Sequence, residues 1–289
     1  MSAVRPVTDV RCELAEGPLW SPAESALYWI DIVGRAMFRL DEGADEPRRW
    51  ELPAKPGCLA LRADGGLAVA LQTGVHALDL DTGELTLLVA PEPDRPGNRL
   101  NDGAADHAGR FWVGSMDDAE KAKTGALYRI APDGTITAVL DGLGIPNGIG
   151  WSPESATMYH TDSTARTITA YDFTLESGAI SNPRTFATDD DCLPDGLTVD
   201  AEGYVWSAKW DGWRVVRYAP DGEVDRVLPM PVQRPSCVAF GGPELDRLYV
   251  SSGRVHLPAS ALAAQPLAGA LLVLDSPGAI GQPEPVVRF

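Results

Sequence analysis

Short apolar segments alternate with polar turns along the whole chain. The segments 26–30 (ALYWI), 110–113 (RFWV) and 204–206 (YVW) carry β-branched and aromatic residues, which favour strands. Turn sequences such as Asp64-Gly65-Gly66 and the Pro-Asp-Gly runs at 132–134 and 220–222 separate such segments at hairpin spacing. Extended helical periodicity is nearly absent. The pattern predicts an all-β fold.

The chain also contains internal sequence repeats. Residues 16–31 (EGPLWSPAESALYWID) and 147–162 (NGIGWSPESATMYHTD) align without a gap and share Gly, Trp, Ser-Pro, Tyr and a final Asp. The segments NDGAADHAGRFW from Asn101 and DGLTVDAEGYVW from Asp195 share an Asp-x-x-Gly turn and a Trp eleven residues from their starts. Self-similarity at this period is typical of propeller blades.

Alignment of all the units on their turns predicts six repeats with one equivalent position in each: Glu16, Gly57, Asn101, Asn147, Asp195 and Cys237. Six units of this length predict six four-stranded blades, and therefore a six-bladed β-propeller that forms a single domain over residues 1–289. The last unit is short of a strand. We expect the segment around residues 7–14 to supply it, because closing the ring removes exposed strand edges.

The repeat predicts a binding site in the central channel. The innermost strand of each blade lines this channel, so Glu16, Asn101, Asn147 and Asp195 would form part of a ring. Neighbouring carboxylates repel each other when desolvated, and a cation removes that repulsion. Carboxylate and amide oxygens suit one divalent cation, with calcium, magnesium, manganese, zinc and iron(II) all open. Arg99 should share this face, because it lies two residues before Asn101 on an extended strand.

Composition narrows the classes of partner. The chain has 24 Lys and Arg against 41 Asp and Glu, a net charge of −17, which argues against nucleic acid or an anionic membrane surface. A small molecule is the expected ligand, and the oligomeric state is open. Without an apolar leader or a run long enough to cross a bilayer, a cytoplasmic protein is expected.

Two further residue groups have unremarkable interpretations. The cysteines form no C-x-x-C pair and are expected to be buried, reduced thiols: Cys12, Cys58, Cys192 and Cys237. The acidic run at 189–191 is expected to be a solvated loop.

Four motifs together resemble the gluconolactonase, regucalcin and senescence-marker family: EGPLW at 16–20, RLNDG at 99–103, Asn-Gly at 147–148 and Pro-Asp-Gly at 194–196. The resemblance implies a six-bladed propeller with one divalent metal. It implies Glu16, Asn147 and Asp195 as the metal ligands, and Arg99 and Asn101 as contacts to the substrate.

Family members also use a Glu shortly after a Gly-Thr-Met segment to bind substrate. The corresponding segment here is GSMDDAE at 114–120, in which Ala119 occupies the expected position. Asp118 and Glu120 are the neighbouring candidates for this role.

The expected function is metal-dependent hydrolysis of sugar lactones, such as glucono-, xylono- or arabinonolactone, to aldonic acids. Asp195 is the candidate catalytic base, and a hydroxide activated by the metal is the alternative. Three other functions remain open: a metal-dependent phosphotriester or ester hydrolase on the same fold, a calcium-binding regulatory protein without turnover, and a protein-interaction propeller.

Overall fold

A computed structural model of the chain describes residues 4–289, and strands make up nearly all of its regular structure. The strands form six antiparallel sheets of four strands each. In chain order they are β1 (Val4–Pro6), β2 (Ala15–Ser21), β3 (Ala26–Asp31), β4 (Ala36–Asp41), β5 (Arg48–Glu51), β6 (Pro56–Leu61), β7 (Leu67–Leu71), β8 (Gly74–Leu78), β9 (Leu85–Val89), β10 (Asn98–Ala105), β11 (Phe111–Asp117), β12 (Gly125–Ile130), β13 (Ile136–Leu143), β14 (Pro146–Trp151), β15 (Thr157–Asp162), β16 (Thr167–Thr174), β17 (Ala179–Thr188), β18 (Leu193–Val199), β19 (Val205–Trp210), β20 (Arg214–Tyr218), β21 (Val224–Pro229), β22 (Pro235–Gly241), β23 (Arg247–Ser252) and β24 (Leu272–Asp275).

Each sheet is one blade of a propeller. Blades 1 to 5 are β2–β5, β6–β9, β10–β13, β14–β17 and β18–β21, and blade 6 combines β22, β23 and β24 with β1. The first strand of each blade contacts the first strand of the next, and β22 contacts β2 to complete the ring. The predicted all-β, six-bladed propeller is confirmed. The helix α1 (Ala259–Ala264) lies in the connection between β23 and β24.

The ring closes through the N-terminal segment, as expected, but through a different part of it. Strand β1 pairs with β24, with Val4 opposite Leu274 and Pro6 opposite Leu272. Residues 7–14, which were expected to supply this strand, instead lead from β1 to β2. The N-terminal segment therefore supplies the closing strand, as predicted, but the strand lies at Val4–Pro6 and not at residues 7–14.

The spacing of six residues between an Asp and a Trp, which two of the repeats share, has a packing reason. Asp106 accepts a hydrogen bond from Trp112 Nε1 at 2.8 Å, and Asp200 accepts the equivalent bond from Trp206 Nε1 at 2.9 Å. Both indoles are fully buried. A buried indole needs a partner for its N–H, so each Asp fixes a large core side chain between blades.

The C-terminal segment crosses one end of the channel. We call the end where the inner strands begin the upper end, and the end where they finish the lower end. At the lower end, Val287 N–H donates to Leu61 O at 2.8 Å and Val287 O accepts from Ala63 N–H at 2.9 Å. Gln282 Nε2 donates to Val199 O at 3.2 Å. The segment therefore connects blade 2 to blade 5 across the axis.

Two smaller expectations can be compared with the fold. The four cysteines are free and buried, as expected. Among the described residues, no helix has the length and apolar character needed to cross a membrane.

Candidate active site

Every inner strand is irregular near its upper end. Its pairing with the second strand of the blade shifts register there, for example between Leu100 and Gly103, between Pro146 and Ile149, and between Pro194 and Leu197. Bulges re-aim side chains that a regular strand would turn away. In this way Asn101, Asn147 and Asp195 sit at the upper channel.

The sixth ring position requires a correction. The shift in blade 6 lies between Pro235 and Val238, as it lies between Pro194 and Leu197 in blade 5. Ser236, and not Cys237, is therefore the structural equivalent of Asp195. The alignment was out by one residue because blade 6 lacks the turn sequence that fixed the other units.

Most of the predicted site residues meet in one cavity of about 120 Å³ at the upper end of the channel. The polar residues that line it include Glu16, Arg99, Asn101, Glu120, Asn147, Ser163 and Asp195. Apolar side chains complete the wall: Leu14, Ile32, Met116, Ile145, Leu193 and Trp210. The cavity thus combines polar and apolar side chains, which is typical of small-molecule sites.

A chain of hydrogen bonds orients the amides. Arg99 Nη1 donates to Asn101 Oδ1 at 2.5 Å, and Asn101 Nδ2 donates to Asn147 Oδ1 at 2.8 Å. Asn147 Nδ2 donates to Ser163 Oγ at 2.8 Å, and that hydroxyl donates to Pro194 O at 2.6 Å. The chain runs through three blades and leaves Asn147 Oδ1 with one free lone pair.

Ser163 is a site residue that the sequence reasoning missed. It follows Asp162, the last residue of the second aligned repeat, and its equivalent in the first repeat is Ile32. Both residues line the cavity. The two aligned residues differ in polarity, so the repeat pattern gave no signal that this position holds a site residue.

The two carboxylates in the cavity are buried together. Desolvation raises the pKa of Glu16 to about 8, and the charge of Asp102 adds to this effect. The pKa of Asp195 is raised well above its usual range by burial, then by the charges of Glu16 and Asp102. The guanidinium of Arg99 opposes both shifts. Two charged carboxylates are therefore unfavourable here unless more positive charge is present.

The donor set fits a divalent cation. Glu16 and Asp195 offer carboxylate oxygens and Asn147 offers an amide oxygen, from blades 1, 5 and 4. Gly17 N–H donates to Glu16 Oε2 at 3.0 Å, so the other carboxylate oxygen is available. Hard divalent cations prefer such oxygen ligands, and a cation would offset the charge of both carboxylates.

Asp118 and Glu120 occupy different places. Glu120 lines the cavity and has a left-handed backbone, with φ of 58°. Asp118 does not line it; its Oδ1 lies 2.6 Å from Lys55 Nζ and 3.2 Å from Arg99 Nε. The Asp118 carboxylate is therefore engaged by two cationic side chains.

A second group of possible metal ligands lies outside the channel cavity. Oxygens of Asp189 and Asp191 and the sulfur of Cys192 lie within 4.8 Å of one another. Asp189 is buried and pairs with Lys209 Nζ at 2.6 Å, and Asp191 pairs with Arg214 Nη2 at 2.6 Å. The side chains of Lys209 and Arg214 therefore already balance the charges of the two carboxylates. The expectation of a solvated loop was wrong for Asp189.

Below the site the channel contains further acidic groups. A cavity of about 90 Å³ is lined by Asp102 and by Glu284 of the C-terminal segment, with Cys58 and Cys237 nearby. Desolvation raises the pKa of Asp102 to about 6 and, with the charge of Asp102, that of Glu284 to about 7. Buried acidic residues thus continue along the channel below the cavity that holds Glu16 and Asp195.

Comparisons with known proteins show which family the chain matches. A family model described as the SMP-30/Gluconolactonase/LRE-like region matches residues 14–254. L-arabinolactonase of Azospirillum brasilense is 42% identical over 277 residues, with 93% of this chain and 91% of that protein covered. Pentonolactonase XacC of Haloferax volcanii is 37% identical, with 96% of each chain covered.

A solved structure gives the same architecture. The crystal structure of a calcium-binding protein, regucalcin, from Agrobacterium tumefaciens strain C58 superposes with a TM-score of 0.95 at 31% identity. It covers 100% of this chain and 98% of its own.

Proposed function

The chain belongs to the SMP-30/gluconolactonase/LRE-like family, and on this premise we propose that it is a metal-dependent lactonase that hydrolyses sugar lactones to aldonic acids. The observation that carries the proposal is the convergence of Glu16, Asn147 and Asp195 with Arg99 in one cavity. Similarity to an L-arabinolactonase and a pentonolactonase supports lactones of five-carbon sugars as the preferred class.

Glu16, Asn147 and Asp195 would hold one divalent cation. When bound, the cation would act as a Lewis acid toward the lactone carbonyl. Calcium, zinc, manganese, magnesium and iron(II) are the candidates, and all are compatible with oxygen ligands.

Arg99 is proposed to bind substrate through the donors that the protein leaves free. A guanidinium has five N–H donors. Nη1 donates to Leu100 O and Asn101 Oδ1, and Nε faces Asp118. Within residues 4–289, Nη2 has no hydrogen-bond partner, so its two N–H groups can meet oxygens of the lactone.

Asn101 and Glu120 can contribute acceptors only. Both N–H groups of Asn101 are used, by Pro146 O and Asn147 Oδ1, which leaves one lone pair on Oδ1. Glu120 faces the same cavity with a carboxylate. These two groups are proposed to accept hydrogen bonds from sugar hydroxyls. Asp118 acts indirectly, through Arg99.

Asp195 is proposed as the general base. One carboxylate oxygen takes a proton from the attacking water as the new C–O bond forms at the lactone carbonyl. The bond from the carbonyl carbon to the ring oxygen then breaks, and Asp195 returns the proton to that oxygen, which leaves as a hydroxyl group. Water and lactone together give the hydroxy acid.

Lactone hydrolysis by chelator-stripped protein, measured against spontaneous hydrolysis, tests the proposal. Arabinono-, xylono- and gluconolactone should turn over only after a divalent metal is added, with the five-carbon lactones fastest. Asp195→Asn should lower kcat by about 100-fold or more, the scale of general base catalysis. Asp190→Asn is the matched control, because Asp190 is exposed.

Lack of turnover with every metal and every lactone would remove the lactonase assignment. In that case calcium binding without turnover becomes the better function, favoured by the similarity to a calcium-binding regucalcin. Calorimetric titration with calcium would then measure it. Normal turnover by Asp195→Asn would remove Asp195 from the chemistry.

A further inference from the structure

Three charged side chains from two blades meet beside the site. Lys55 immediately precedes β6 of blade 2, while Arg99 on β10 and Asp118 after β11 belong to blade 3. Lys55 Nζ and Arg99 Nε approach the same oxygen, Asp118 Oδ1, at 2.6 and 3.2 Å. The side chain of Arg99 is buried at 7% exposure, whereas Lys55 and Asp118 are about one-third exposed, at 35% and 29%.

The backbone around Asp118 is fixed independently of these ion pairs. Asp117 accepts hydrogen bonds from the N–H groups of Ala119, Lys121 and Ala122. Asp118 N–H donates to Gly97 O at 3.0 Å. The turn therefore keeps its shape without Lys55, and Lys55 restrains only the carboxylate of Asp118.

The carboxylate in turn restrains Arg99. Nη1 of Arg99 is held by Leu100 O and Asn101 Oδ1, and Asp118 is the group that faces Nε. Because Nη1 and Nε are both held, the plane of the guanidinium is fixed. That plane sets the direction in which the free Nη2 points. Loss of the restraint on Asp118 would let this partly exposed carboxylate turn toward water and would leave one edge of the guanidinium unpaired.

We propose that Lys55 is a positioning residue, which fixes the Arg99 guanidinium for substrate through Asp118 and so sets substrate affinity rather than the rate of the chemical step. This inference rests on the proposed lactonase function. Its distinctive feature is that a residue of blade 2, with no contact to the cavity, tunes a binding group of blade 3.

Steady-state kinetics of metal-loaded Lys55→Met, Lys55→Arg, Asp118→Asn and the double variant Lys55→Met/Asp118→Asn test the inference. Lys55→Met should raise KM about five-fold, the scale of a partly exposed ion pair, with kcat within about two-fold of wild type. Lys55→Arg should restore KM, because a guanidinium keeps the contact to Asp118. The double variant should match Asp118→Asn, because both changes act through one contact.

Lys123→Met is the matched control. Lys123 is exposed in the same connection, and within the described chain it forms no ion pair. It should leave KM unchanged. An unchanged KM in Lys55→Met, an equal loss in Lys123→Met, or additive effects in the double variant would each overturn the inference.

A measurement without substrate separates this inference from the proposed function. If the wild-type protein turns over no lactone, the function fails, and hydrogen exchange of Arg99 Nε–H can still be followed by NMR. Exchange should be faster in Lys55→Met than in wild type and in Lys123→Met. Equal exchange in all three would overturn the role of Lys55 whatever the substrate.

Discussion

Burial determines how individual ionisable residues behave in this protein. It raises the pKa of Glu16 and lowers the pKa of Arg99 and of His160, to about 4 for the histidine. The directions differ because burial penalises the charged form, which is the deprotonated acid or the protonated base. The same effect that favours a cation at the site therefore keeps His160 neutral inside blade 4.

Replacing His160 with Gln should remove one acid-sensitive contribution to stability. His160 is 3% exposed, and its Nε2 has no hydrogen-bond partner among the described residues. Because its pKa falls from 6.5 to about 4 on folding, its stabilising contribution is complete above pH 6.5 and declines as the pH falls toward 4. Between pH 7 and 4.5 the loss should be about 2 kcal/mol.

Urea unfolding of both proteins at the two pH values measures this difference. The decrease in unfolding free energy on acidification should be smaller in His160→Gln than in wild type. His256→Gln, at an exposed histidine, is the control and should follow wild type. Identical decreases in all three proteins would contradict the buried neutral state of His160.

The inner strands place the site because they approach one another closely at the upper channel. Gly57 occupies the blade 2 ring position, where a Cβ atom would lie 2.5 Å from the backbone oxygens of Leu100 and Asn101. A side chain cannot fit there without moving β10. The ring therefore has a glycine at this position for a steric reason. The glycine lets β10, which carries Arg99 and Asn101, pack directly against β6.

Gly57→Ala should therefore impair both stability and substrate binding. The added methyl group forces β10 away from β6, at a cost of about 1 to 3 kcal/mol in unfolding free energy. Displacement of Asn101 should also raise KM. Gly97→Ala is the matched control, because a Cβ atom at Gly97 meets no atom within 4 Å. Thermal unfolding and lactone kinetics check both effects, and equal behaviour of the two variants would contradict the steric reason.

At the scale of the whole molecule, two chain ends hold the ring together. Strand β1 completes blade 6, and the C-terminal segment joins blades 2 and 5 below the channel. Val287 is fully buried between blades 2 and 3, in the same apolar cluster as Phe111 and Val113. These contacts hold the ring at the end of the channel opposite the site.

Val287→Ala should lower the unfolding free energy by about 2 kcal/mol, from lost apolar burial and the cavity that remains. The KM for lactone should change little, because Val287 lies at the other end of the channel. Val224→Ala, at a side chain that is 57% exposed, should have a much smaller effect. Denaturant unfolding would contradict a supporting role for the segment if both variants lost equal stability.

Much of the fold and of the site was predictable because each blade repeats a local pattern. The repeat from Glu16 and the repeat from Asn147 gave the blade number and the ring position, and Arg99 followed from alternation along a strand. Asp106 and Asp200 show why the pattern is kept, since each pairs with a buried Trp six residues later. Because such contacts join residues that are close in the chain, their pattern can be recognised from the sequence alone.

What the sequence determined by itself was the all-β propeller, its six blades, and the set of oxygen-bearing residues at one register. Only the tertiary structure decided that Ser236 completes the ring, that Ser163 orients Asn147, and that Lys55 reaches Asp118. These contacts join blades whose residues are far apart in the chain, as Lys55 and Asp118 are. Their partners depend on the closure and bulges of the whole ring, which no local pattern encodes.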